Sequence, residues 1–257
     1  DPFSGAAGDM VIGSLLDLGA DEEAVRAAMR SVVSEPTIER VDRSGIQAVY
    51  VRAHAQVHHR TLDEVLDRVA GSDAPAPALE MARNVFFRIH RAEESIHGPG
   101  AHFHEVGADD AIADVVGACT ALYSLNVDGV AILPVALGYG SVVSSHGTFP
   151  VPAPATVAIL KGSGLRTIPG GEKRELCTPT GAALLAEFMT TGPEDLGPAE
   201  IVAIGYGAGS KNPSGRPNVL RSMLLNIEGG VGSDRVDVLE TNVDDVTGEI
   251  IAYSLAR

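Results

Sequence analysis

Nine consecutive residues, His102-Phe103-His104-Glu105-Val106-Gly107-Ala108-Asp109-Asp110, carry two imidazoles and three carboxylates. Two histidines one residue apart share a face only where the backbone is extended, because side chains alternate along a strand and diverge on a helix. After them, Ile112, Val115, Val116, Cys119, Leu122 and Tyr123 recur at helical spacing. The pattern predicts an extended or looped lead-in and a helix from about Asp109. In that setting His102, His104 and an acid from Glu105 or Asp109 make half of a metal site with open positions. The same residues have ordinary uses. Asp109 and Asp110 fall where a helix takes a capping side chain and negative charge, and no Cys or His partner stands at a zinc-finger spacing.

Three other stretches could seat an anion. Asp1-Pro2-Phe3-Ser4-Gly5-Ala6-Ala7-Gly8-Asp9 is a small-residue loop running into a helix, and Ser4, Gly5 and Gly8 would let a phosphate approach backbone N–H groups at the helix start. Asp1 and Asp9 there are either caps or metal and acid–base groups. In Leu176-Cys177-Thr178-Pro179-Thr180-Gly181, Thr178 reads as an N-cap with Pro179 at the first helical position, and the hydroxyls of Thr178 and Thr180 add donors. Gly205-Tyr206-Gly207-Ala208-Gly209-Ser210-Lys211, followed by Arg216, reads as a glycine loop between two strands, with Lys211 and Arg216 as its cations. Capping and turn formation explain all three without a ligand. His146, beside Gly147, sits in a loop. His58 and His59 end a strand pattern and face opposite ways, so at most one serves a given site. His90 and His97 lie seven apart on one side of a helix and read as a solvated or half-buried face.

The elements that position these groups alternate in type. Helices are expected from Val11 to Leu18, closed by Gly19, and from Asp21 onward. A hairpin turns at Arg43-Ser44-Gly45, Thr61 and Glu64 form a capping box, and a long helix covers about Leu79–His97. The core helix of 109–125 stops at Asn126, a strand follows at Val130–Val135, and further helices end at Lys161-Gly162 and begin at Pro179. The fold class is α/β or α+β, a mixed sheet with helices packed on it. Residues 1–228 form the main domain, 229–235 a linker, and 236–257 the start of a further domain.

Composition narrows the function. With 257 residues, 45% of them apolar, the chain can bury a substantial core. A net charge of −15 from 19 basic and 34 acidic residues argues against nucleic acid or an acidic membrane as partner. Aromatics at 4%, without Trp, remove stacking platforms for single strands. No apolar run approaches the roughly 18 residues of a membrane span. Only Cys119 and Cys177 occur, which suits a reducing cytoplasm.

Taken together, the segments DPFSGAAGDM (1–10), HFHEVGADDAIADVVG (102–117), HGTFPVPAPATVAILKG (146–162), LCTPTGAALL (176–185), GYGAGSKNPSGRPNVLR (205–221) and ETNVDD (240–245) resemble the LarC family of nickel-insertion proteins, in order and over nearly the whole chain. The resemblance implies a cytoplasmic nickel chelatase of the lyase class that inserts Ni²⁺ into pyridinium-3,5-bisthiocarboxylic acid mononucleotide to give the nickel-pincer nucleotide cofactor. It implies a CTP-dependent step, with CTP and its divalent cation expected only with a further C-terminal domain, and a strand preceding Asp1. The partner is then a small mononucleotide, and a homo-oligomer stays open. Two other classes remain: a non-catalytic nickel-binding or storage module, and a metal-dependent phosphoester hydrolase.

Overall fold

A computed structural model describes residues 1–54, 60–100, 103, 107–144, 147–213 and 215–227. The proposed linker and the start of a further domain lie outside these residues. The chain opens with helices α1 (Gly8–Leu18) and α2 (Glu22–Arg30), followed by the hairpin β1 (Thr37–Arg43) and β2 (Ile46–Arg52). Helices α3 (Leu62–Ala70), α4 (Ala76–His97) and α5 (Asp109–Leu125) come next. Then follow short strands β3 (Val135–Ala136), β4 (Ser141–Ser144) and β5 (Gly147–Pro150), helix α6 (Pro154–Leu160), strand β6 (Thr167–Ile168) and helix α7 (Pro179–Phe188). The long strands β7 (Ala199–Ala208) and β8 (Val219–Ile227) complete the described fold.

The main sheet runs β1-β2-β7-β8. β1 and β7 are antiparallel to β2 and β8 respectively, while β2 and β7 are parallel. Helix α1 lies along β7, β2 and β8. Behind it α5 packs on α1, α2 and α4, and α4 reaches α6 and α7. The architecture is α/β, a mixed sheet carrying helices. No helix of the described residues is long and apolar enough to cross a membrane.

Local chemistry sets the boundaries. Gly19 caps α1 at φ 114°, a left-handed conformation that glycine adopts without a Cβ clash. Asp21 accepts from Ala24 N–H, and Thr61 with Glu64 forms a capping box on α3. Helix α4 begins at Ala76, ahead of the expected Leu79, because Pro77 in its first turn removes only an N–H that has no intrahelical partner. Helix α5 is buried along Ile112, Val115, Val116 and Cys119, but Tyr123, expected on that face, is 47% exposed near the helix end.

Two expectations change. The strand foreseen at Val130–Val135 contracts to Val135–Ala136, with Ala131 making a single bridge to Thr191. Pro134 within that run has no N–H to give a ladder. The glycine segment 205–209 is not a loop as far as Ala208, because Gly205 and Gly207 belong to β7. Their missing side chains admit α1. A Cβ on Gly207 would lie 1.9 Å from Met10 O, and one on Gly205 would lie 2.3 Å from Ser14 O. From the helix side, a Cβ on Gly13 would meet Val49 O at 2.3 Å.

Gly207→Ala is therefore expected to destabilise the chain by about 3 kcal/mol through overpacking between two backbones. Urea unfolding measures this, and a loss below about 0.5 kcal/mol would mean that α1 is not seated on β7 as described.

Candidate functional site

The first turn of α1 and the first two turns of α5 meet beside the end of β2. They line an open cavity of about 540 Å³, bordered by Asp9, Tyr50, Val51, Arg52, Ala53, His54, Asp110, Asp114 and Ser210. That volume suits a small-molecule ligand. Asp110 and Asp114 stand four apart on α5 and so project from one side of it. Asp9 comes from α1, whose position on β7 is set by the glycines.

Gly8 brings the two helices together. A Cβ there would sit 2.7 Å from Asp114 Oδ2, so only glycine lets the α5 carboxyl fold over the start of α1. Asp114 accepts the Asp9 backbone N–H, and Asp9 accepts from Met10 N–H at 2.8 Å and from Ser210 N–H. The free N–H groups of a helix start thus hold carboxyls of the protein itself. Burial pushes the Asp9 carboxyl up to about 6, against the pull of these backbone hydrogen bonds and of Arg43. Asp114 is raised well above the carboxylate range, first by burial and then by the charges of Asp9 and Asp110. Both carboxyls at the floor of the cavity are thus held above the ordinary carboxylate range, each chiefly by burial.

The anion-seat candidates are placed as follows. Ser4 is buried and donates to Pro217 O at 2.9 Å. Gly5, at φ 95°, packs on Leu176, and Ala6 bridges Cys177, so the loops at 4–8 and 176–181 are joined to each other. Thr178 caps α7 by accepting from Gly181 N–H at 3.1 Å, and Thr180 is half-buried in the first turn. Arg216 donates to Ser4 Oγ and to the carbonyls of Gly170 and Phe3, which ties three loops together. Lys211 is exposed. Asp1 pairs with Arg221, away from the cavity lining.

Asp109 opens α5 but turns to two cations, Arg60 at 2.9 Å and Arg68 at 3.2 Å. His102, His104, Glu105, His58 and His146 lie outside the described residues. Phe103, between the first two of these in sequence, is buried and bridged to Arg60 by a Phe103 N–H to Arg60 O bond of 3.1 Å. Among the described residues no three His, Cys, Asp or Glu side chains converge to hold a metal ion. The cavity residues Asp114, Tyr50, Arg52, His54 and Ser210 were not singled out from sequence. Asp114 had a readable signal, a carboxyl interrupting the buried run from Ile112 to Ala121.

Comparison with known proteins places this arrangement. The family model described as "Nickel insertion protein" matches residues 1–257. The chain belongs to that family. Proteins provisionally named for nickel insertion include one from Methanococcoides burtonii, 46% identical over 98% of this chain and 64% of its own length. The Methanothermobacter thermautotrophicus relative is 42% identical over all of this chain and 65% of its own. That from Geobacter metallireducens is 38% identical over all of this chain and 68% of its own. The chain thus spans about 64–65% of the length of the first curated relatives it matches. No solved structure matches it.

The folded state binds an extra proton at Asp9 between the ordinary carboxylate value of 3.8 and about 6. Stability therefore falls as pH rises through that window, by up to about 3 kcal/mol at 1.36 kcal/mol per pH unit. Asp9→Asn removes this fall. Thermal melts should show a higher midpoint for the variant at pH 7.5 and converging midpoints at pH 4; a difference that does not change with pH would contradict the assignment.

Proposed function

We propose that this chain receives Ni²⁺ and holds a mononucleotide substrate while the ion is passed to it. The observation that carries this reading is the acid-floored cavity at the start of α5, in a chain of the nickel insertion family. The substrate is pyridinium-3,5-bisthiocarboxylic acid mononucleotide, and the product is the nickel-pincer nucleotide. His102, His104 and an acid from Glu105 or Asp109 take the ion, since imidazole and carboxylate ligands bind Ni²⁺ yet yield it to sulfur. Asp109 then shares its carboxylate with Arg60 and Arg68, which weakens its hold on the metal.

The cavity supplies negative potential for a cation and a proton acceptor. Ligand atoms lose protons as they bind a metal, and Asp9, ionised at neutral pH with a value of about 6, is matched to take one. The exposed Lys211 is the cation among the anion-seat candidates that is available to a substrate phosphate. A CTP-dependent step and its divalent cation are assigned to the part of the relatives' length that this chain does not match. The activity as a chelatase of the lyase class is likewise a property of that whole, working in the cytoplasm.

Calorimetry with Ni²⁺ at pH 7.5, with Mg²⁺ and Zn²⁺ as competitors, tests the reading. Micromolar binding is expected, weakened about tenfold at pH 5.5, where Asp9 takes up a proton and protons compete with the metal for its ligands. Turnover of substrate with stoichiometric nickel transfer distinguishes insertion from storage. Phosphate release from simple nucleotides, with no nickel uptake, would replace the reading by a hydrolase.

A further inference from the structure

β2 and β7 are the parallel pair of the main sheet, and their register ends with Tyr50 beside Ala208. There β7 stops, while β2 runs on to Arg52. The cavity lies in the notch this leaves, with Arg52 at the end of β2 and Ser210 two residues past the end of β7. Ligands of open α/β sheets sit outside the carboxyl ends of parallel strands, which is this position.

Most polar groups around the notch are already engaged. Asp9 accepts from the N–H groups of Met10 and Ser210, Asp114 from that of Asp9, and Asp110 from Ala111 N–H at 2.9 Å. His54 Nε2 lies 3.0 Å from Thr37 Oγ1. Arg43 is spent on Gly209 O and on the Tyr50 ring. Arg40, Arg60, Arg68 and Arg221 each meet a carboxylate of the protein. Arg52 does not. It is exposed, borders the cavity, and has no ion pair or hydrogen bond among the described residues.

An uncommitted guanidinium at a cavity wall offers a planar fork of donors that fits a phosphate. Three carboxyls share that cavity, and in a chain of net charge −15 a bare anion is repelled. Carboxylates keep lone pairs beyond the backbone hydrogen bonds they accept, so these acids still draw a cationic group. Cation and acids in one basin therefore select a ligand that carries both signs of charge.

We propose that Arg52 seats the phosphate of a pyridinium mononucleotide in this cavity, with the cationic ring toward Asp9 and Asp110, and that it sets the preference for phosphorylated over unphosphorylated ligands. This rests on the substrate-holding reading above and names the residue that reads the phosphate.

Calorimetry on the chain tests it with three probes: nicotinamide mononucleotide, which has the cationic ring and the phosphate; nicotinamide riboside, which has the ring alone; and inorganic phosphate. The mononucleotide should bind about tenfold more tightly than either of the others, the worth of one charge-assisted contact. Arg52→Gln should bring the mononucleotide down to the level of the riboside, and Arg52→Lys should restore part of the difference. Because Arg52 is exposed and unpaired, the thermal midpoint of Arg52→Gln should stay within a few degrees, and its Ni²⁺ affinity should not fall. If Arg52→Gln keeps the full preference for the mononucleotide, the role of Arg52 is overturned and the substrate-holding reading stands. Inorganic phosphate binding as tightly as the mononucleotide would overturn the selection for both charges. Binding of neither ring-bearing probe by the unaltered chain would overturn this inference and the substrate-holding reading together.

Discussion

Backbone lying directly on backbone, α1 on β7, is the contact on which the rest of this fold depends. Gly205 and Gly207 on the strand, with Gly13 on the helix, remove the side chains that would hold the two elements a normal helix–sheet distance apart. The start of α1 is thereby held at the end of the sheet, where Gly8 repeats the device against Asp114 of α5. Four close approaches thus define where Asp9 and Asp114 meet. Few side-chain contacts could position two carboxyls so tightly, because such a pair resists being brought together while both are ionised. The cost is borne by the buried faces of α1, α2 and α5, which hold Ile12, Met29, Ile112 and Val116 fully out of water.

Charge is divided unevenly over the molecule. Arg216, Arg60 and Arg221 each turn inward, to carbonyls, to Asp109 or to Asp1, and serve as ties between loops. Carboxyls are left to face the cavity, with Arg52 and His54 at its wall. In a chain of net charge −15 this favours cations over free anions. Such a cavity discriminates by total charge before any specific contact forms.

Much of the fold could be read from the sequence because its signals are local. Gly19, Asp21, the Thr61–Glu64 box, Thr178 with Pro179, and the stop at Asn126 all act within one helical turn, and each stands where expected. The glycines of β7 misled because glycine marks both a flexible turn and a close packing contact, and only the partner element tells them apart. The cavity was harder to foresee. Asp9 was named, but Asp114 lay within an apolar helix and acquires meaning only when α1 crosses α5. The roles sketched for Ser4, Gly5 and Thr178 depended on free donors, whereas those loops spend their polar groups on one another. Residues His102, His104 and Glu105 fall outside the described part, so their assignment rests on pattern and on the anchored Phe103 between the two histidines.

The cavity wall takes residues from position 9, from 50–54, from 110–114 and from 210. Pieces separated by about two hundred residues must all have arrived before it exists. A growing or half-folded chain therefore displays scattered acids and imidazoles but no enclosed basin. Whatever the cavity binds is therefore bound by the finished polypeptide and not by unfinished copies of it.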